Sequence, residues 1–211
     1  MNMKMTELIM TYRLAFVAAL VLILLGCEQS LTMETKTDVP LPLITQLPLN
    51  IGVYYDEQFS GYTYVEDSED RPSWSIKSGA SQVELFDQIL PSMFQSIKYL
   101  NGLSDPQANN LDGIIVPHVE EMQFALPNET KTDLYEVWIK YKISLHNPDG
   151  ELIAEWPLTG YGKSSTEFLK SREKGLHAAI NLAFRDAGAK LAINFAKIAE
   201  VKQWLANKTA F

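Results

Sequence analysis

The sequence predicts an α+β domain, a mixed or antiparallel sheet of about four to five strands with two helices packed on one face, in the order β-α-β-β-β-α. Three observations carry this. Residues 134–146 alternate between apolar and polar side chains, and a turn sequence then returns the chain through a second alternating run. Residues 81–100 place their apolar side chains at helical spacing. Residues 167–205 do the same over a longer span.

Residues 51–55 (IGVYY) form the first predicted strand and 59–65, rich in aromatic side chains, a second. Asp56 and Glu57 turn the chain between them. Asp67, Glu69, Asp70 and Pro72 read as a solvated acidic loop, because their spacing fits no calcium loop. In 81–100, Val83, Phe86, Ile89, Leu90, Met93, Phe94, Ile97 and Leu100 fall on one stripe, and Ser81 with Glu84 has the spacing of a capping box. Pro91 removes a backbone hydrogen bond inside that pattern, which predicts a kink or a split. The stretch 101–113 is a turn-rich loop. Its Asp105, Asn109, Asn110 and Asp112 miss the calcium-loop offsets, and no Glu closes them.

Residues 113–126 are the next strand region, where Ile114, Ile115 and Val116 start buried and Pro117 calls for an edge or a bulge. In 134–146, Tyr135, Val137, Ile139, Tyr141, Ile143 and Leu145 point one way, and Glu136, Trp138, Lys140, Lys142, Ser144 and His146 the other. Asn147, Pro148, Asp149 and Gly150 supply the turn: Pro pre-sets φ and Gly accepts the left-handed position. The return strand, 151–161, puts Leu152, Ala154, Trp156 and Leu158 on one face, and Pro157 makes it an edge or a bulged strand. Gly160 and Gly162, in TGYGKSS, read as a loosened exit from the hairpin, since the phosphate-loop spacing is not met. The final helix turns Leu176, Ile180, Ala183, Phe184, Ala187, Leu191, Asn194, Phe195 and Ile198 inward. Its alanines and Gly188 permit close approach to a sheet, and a break is expected near Gly188 or Asn194.

The chain has 211 residues, a formal charge of -8 and one cysteine. The acidic balance argues against a nucleic-acid partner. One cysteine excludes an intramolecular disulfide and a thiolate metal cluster. The three histidines, His118, His146 and His177, sit in different predicted elements without a second ligand at metal spacing, so no metal is expected. No nucleophile elbow, Walker loop or dinucleotide fingerprint is present, and no cofactor is expected. Glu120 and Glu121 are adjacent and should face opposite sides of a strand, which denies them a shared acid–base role. Trp74, Trp156 and Trp204 read as core or interface residues. Trp138 shares the polar face with Lys140 and Lys142. Either a helix covers it, the reading favoured here, or it is a contact for a partner together with those lysines.

The N-terminus carries the strongest signal. Lys4 and Arg13 precede residues 14–25 (LAFVAALVLILL), twelve apolar residues without a charge. As a helix they rise about 18 Å, short of the roughly 30 Å hydrocarbon core of a bilayer. A basic start, a short apolar middle and a small residue at its end describe a secretory leader. Leu24-Leu25-Gly26-Cys27 resembles the lipobox of bacterial lipoproteins, with Leu three residues before the cysteine and a small residue directly before it. Leu25 departs from the small residue more usual at its position. The resemblance implies diacylglycerol on the Cys27 sulfur, cleavage between Gly26 and Cys27, and acylation, such as palmitate, on the new amine. Glu28 follows the cysteine where Asp would imply retention in the inner membrane, so the family rule implies an outer-membrane protein facing the periplasm.

The domain organisation that follows is a cleaved signal peptide at 1–26, a lipidated N-terminus and extended tether at 27–49, and one periplasmic α+β domain at 50–211. Pro40, Pro42 and Pro48 stiffen the tether. Losing Lys4, Arg13 and Glu7 with the leader removes a net charge of +1, leaving the mature chain at about -9. Element order and lipobox together resemble small outer-membrane lipoproteins: the lipopolysaccharide-assembly lipoprotein, YajG-type lipoproteins and the α/β domain of the curli secretion lipoprotein. That resemblance implies a non-catalytic module, not an enzyme, which docks on envelope components. The alternative is a lipid- or small-ligand-binding auxiliary lipoprotein of an envelope transport system, which needs an apolar cavity between sheet and helices.

Overall fold

Period-2 alternation builds the centre of the protein. The computed structural model describes residues 31–35, 40, 42–68, 71–166 and 171–208. Gly26, Cys27, Glu69, Asp70 and the expected helix start at 167 lie outside these residues. The described strands are β1 (Leu31–Glu34), β2 (Leu47–Val53), β3 (Thr63–Ser68), β4 (Arg71–Lys77), β5 (Phe94–Tyr99), β6 (Gly113–Ala125), β7 (Leu134–His146) and β8 (Leu152–Ser165). The helices are a single turn, α1 (Glu57–Ser60), then α2 (Gly79–Met93), α3 (Arg172–Asn194) and α4 (Ala199–Lys208), with 3₁₀ turns at Pro106–Asn110 and Phe195–Lys197.

Five strands form a mixed sheet in the order β5-β2-β6-β7-β8, parallel across β5-β2-β6 and antiparallel across β6-β7-β8. The α+β class is the one the sequence predicts. A second sheet, β1-β4-β3, was not anticipated. It takes in the acidic loop, part of which is strand β4, and part of the segment 27–49 read as tether: residues 31–34 pair with β4 as β1, and β2 begins at Leu47. The second predicted strand, 59–65, divides. Phe59 belongs to α1, which Asp56 caps by accepting from Phe59 N at 2.6 Å, and β3 starts at Thr63.

α2 and α3 lie on one face of the large sheet, as expected. Tyr135, Val137, Ile139, Tyr141, Ile143 and Leu145 are all buried beneath them, with Phe86, Ile89 and Leu90 from α2 and Ile180, Phe184 and Leu191 from α3. Phe86 stands edge-on to both Phe59 and Tyr141, at 5.5 and 5.7 Å, and such pairs add about 0.5–1.5 kcal/mol to the burial itself. The small sheet joins the same core through Trp74 and Tyr64, which stack edge-on against Phe124 at 5.1 and 5.6 Å. The Tyr141 hydroxyl is buried with no hydrogen-bond partner among the described residues. Tyr141→Phe is therefore expected to leave stability unchanged or raise it by up to about 1 kcal/mol, read from urea denaturation.

The predicted helix 81–100 splits rather than kinks. α2 ends two residues after Pro91, and Phe94 turns extended to open β5, which pairs in parallel with β2. Apolar spacing at Phe94 and Ile97 fits either period, and the ladder offered by β2 decides between them. The N-cap of α2 is Ser78; Ser81, expected as the cap, lies inside the helix and bonds with Thr35. The last helix breaks at Asn194, one of the two places expected.

Pro157 lies on β8, an edge strand of the sheet. The free backbone of that edge is partly occupied from α3: Tyr161 N donates to Asp186 at 2.9 Å and Lys190 Nζ donates to Thr159 O at 3.0 Å. Such cover blunts an edge against pairing with a second chain. Gly160 and Gly162 are not a loosened exit. They lie within β8, where a Cβ would collide with the main chain of α3 at Ala183 and Ala179. Gly188 serves the other helix pair, meeting Ile89 and Leu85 of α2.

Candidate functional site: the open face of β6-β7-β8

Each side chain that alternation turns away from the helices lands on the opposite face of the sheet. The loop between β5 and β6 covers one end of that face, where Leu100 and Ala108 bury Ile114. The other end is uncovered among the described residues. There Gln123, Trp138 and Tyr161 stand abreast on β6, β7 and β8, and the next rank holds Glu121, Lys140 and Thr159. Trp138 is 37 % exposed, and its ring lies 5.2 Å from that of Tyr161 at a 35° tilt. No helix among the described residues covers it, which corrects the favoured expectation. The helices sit on the far side because Tyr135, Val137 and Ile139 turn the apolar side there. Trp74, Trp156 and Trp204 are buried, as read.

A shallow groove of about 250 Å³ runs between Glu121, Gln123, Trp138, Lys140 and Thr159. The structure brings two of the three expected contact residues, Trp138 and Lys140, into this groove. Lys142 stands on the same face opposite Pro157 and reaches Glu155 at 3.8 Å. Glu120 and Glu121 depart from simple alternation. β6 carries a bulge between Val119 and Glu121, so one residue of β7 is matched by two. Glu120 consequently reaches Lys140 on the open face at 2.8 Å, beside Glu121 rather than opposite it. Lys140 holds the Glu120 carboxyl below its usual range, chiefly by hydrogen bonding, and Glu120 raises the Lys140 ammonium. Tyr161 donates to Glu136 at 3.1 Å; partial burial and then that carboxylate push its phenol up. What the face offers is an aromatic step rimmed by paired charges, suited to stacking and hydrogen bonding.

The sequence reading named Trp138 but missed Tyr161, Glu121, Gln123 and Thr159. Counting outward from His146 opposite Leu152 places Gly160 beside Trp138. A second bulge next to that pair shifts the register by one, exposes Leu152 on the face opposite Ala154, and brings Tyr161 alongside instead. Elsewhere the loop carboxylates bind the chain's own amides. Asp105 accepts from Asn101 N at 3.0 Å and Gln107 N at 2.9 Å, and these bonds lower its pKa. Among the described residues no group of three or more His, Cys, Asp or Glu could hold a metal ion, and no helix is long and apolar enough to cross a membrane.

Comparison with solved structures finds the same arrangement elsewhere. A DUF330-family protein from Xanthomonas campestris superposes with a TM-score of 0.53 at 12 % identity, over 84 % of this chain and 99 % of that one. The likeness is one of fold. A minor lipoprotein from Acinetobacter baumannii gives a TM-score of 0.41 at 9 % identity, covering 78 % of this chain and 96 % of that one. Lipoprotein B from Nitrosomonas europaea gives 0.37 at 15 %, covering 82 % and 94 %. No protein-family model matches the chain, and no curated protein matches it.

Proposed function

We propose that the chain is a bacterial lipoprotein anchored through Cys27 to the outer membrane, whose periplasmic domain is a non-catalytic adaptor or assembly factor for an envelope protein. Support for the anchor is the lipobox Leu24-Leu25-Gly26-Cys27 after a leader too short to span a bilayer. Glu28 rather than Asp supports the outer membrane. Support for the adaptor role is the uncovered step of Trp138 and Tyr161. An exposed Trp flanked by polar side chains, on a sheet whose other face is fully packed, is a surface suited to protein contact. The finer likeness, to lipopolysaccharide-assembly and YajG-type lipoproteins, rests on element order and the lipobox.

The lipid-binding alternative draws less support. Where α2 and α3 meet the sheet, Leu85, Phe86, Ile89, Leu158, Ala187, Gly188 and Leu191 close up and leave no room for even a water molecule. An acyl chain would have to displace them.

A photocrosslinker at Thr159, on the groove rim, tests the adaptor reading in cells. The expected result is one discrete envelope-protein adduct, reduced about tenfold or more by Trp138→Ala, a loss in the range of a central interface aromatic at about 2 kcal/mol. No adduct, or an adduct indifferent to Trp138→Ala and Lys140→Glu, would overturn it.

A further inference from the structure

We infer that the β1-β4-β3 sheet is the membrane-facing pole of the domain, held against the lipid headgroups by the shortness of the chain between Cys27 and β1. This rests on the proposed lipidation of Cys27. Only Glu28, Gln29 and Ser30 separate that cysteine from Leu31, the first residue of β1. Four Cα steps reach at most about 14 Å. The lipid and the folded domain therefore cannot be far apart.

The attachment on the domain side is firm. β1 pairs in parallel with β4 from Leu31 opposite Trp74 to Glu34 opposite Lys77. Just beyond it, Thr35 is buried, donates from N to Lys77 O at 3.3 Å, and exchanges hydrogen bonds with Ser81 in α2, donating to its Oγ at 2.7 Å. Pulling on Cys27 thus pulls, through three residues, on the sheet and on the first turn of α2.

The pole has an opposite end. Trp74 of the small sheet touches Phe124, which pairs with Val137. From Val137 the strand runs on to His146 and the hairpin turn, about 30 Å farther at roughly 3.3 Å per residue. The hairpin therefore points into the periplasm. One row of the small sheet suits its place: Thr32, Ser75 and Val65 lie in register, uncharged, with Val65 67 % exposed; beside it Glu34 stands opposite Lys77, and the Asp67 carboxylate accepts from Ser73. In a chain of net charge -8, such a row can meet anionic headgroups without the repulsion that the acidic surface would bring.

The test uses the full-length lipidated protein in vesicles of phosphatidylethanolamine and phosphatidylglycerol carrying a headgroup spin-labelled lipid. A fluorophore is placed by Val65→Cys in one sample and by Asp149→Cys, in the hairpin turn, in another. Mass spectrometry of the N-terminal peptide is read first, and absence of the diacylglycerol thioether at Cys27 overturns the anchor itself. With the lipid present, the Val65 probe is expected to be quenched several-fold more than the Asp149 probe. A long Gly-Ser insert between Ser30 and Leu31 is expected to abolish that difference. Equal quenching at the two sites, or a difference that survives the insert, overturns the inference while leaving the anchor standing.

Discussion

Gly162→Val is expected to unfold the domain or to cost it more than about 3 kcal/mol, a large share of the roughly 5–15 kcal/mol that a domain possesses. A Cβ there would strike the Ala179 carbonyl oxygen and the Ala183 amide of α3, which are main-chain atoms unable to rotate aside. Overpacking against side chains ordinarily costs about 1–3 kcal/mol. Here the helix itself must lift from β8, and Ala179, Ala183 and Phe184 would leave the core with it. Urea denaturation measures the effect. Gly102→Ala, at a position with open space around it, is the control and should leave the midpoint in place. A Gly162→Val protein with an unshifted midpoint would show that α3 does not need β8 at this separation.

Cys27→Ser is expected to have the largest effect on location and none on the fold. A hydroxyl cannot take the thioether-linked lipid. Each methylene of an anchored chain contributes roughly 0.8 kcal/mol to membrane binding, so losing the lipid removes a contribution no surface contact replaces. Fractionation should show the protein leaving the membrane fraction, and circular dichroism of the released protein should be unchanged. A trimmed Cys27→Ser protein that stays with the membrane would refute the anchor, and the close approach of the small sheet to lipid would go with it.

The hairpin β7-β8 was legible because two local rules agree on it. Alternation over 134–146 names a face for every side chain, and Asn147 to Gly150 reverses the chain, with Gly150 at φ 87° as the turn requires. The break at Asn194 was legible from helix propensity. β5 was not legible, because Phe94 and Ile97 satisfy the helical period as well as a strand does, and the hydrogen-bond ladder of a remote β2 settled the matter. β1 was hidden for the same reason: its partner β4 lies some forty residues away in sequence. β4 has a local partner in β3, but nothing in the residue pattern of that acidic, proline-containing stretch announces the pair.

The candidate site divides along the same line. Trp138, Lys140 and Lys142 were readable as one face, since a strand of fixed period needs no partner to define its sides. Tyr161 beside Trp138, and Glu120 beside Glu121, came from bulges at Ile153 and Glu120, single extra residues that shift register or reverse a face.

By itself the sequence determined the α+β class and the face to which each residue of β7 belongs, and it raised the expectation of a leader that ends at a lone cysteine. These follow from length, charge and period, which a short segment carries within itself. The tertiary structure alone decided that the described helices leave Trp138 uncovered, that two bulges assemble the groove, and that β1 ties the chain down four residues beyond Cys27. Those outcomes depend on which distant strand offers a ladder and which apolar face finds cover, free energies that exist only once the remote parts of the chain have met.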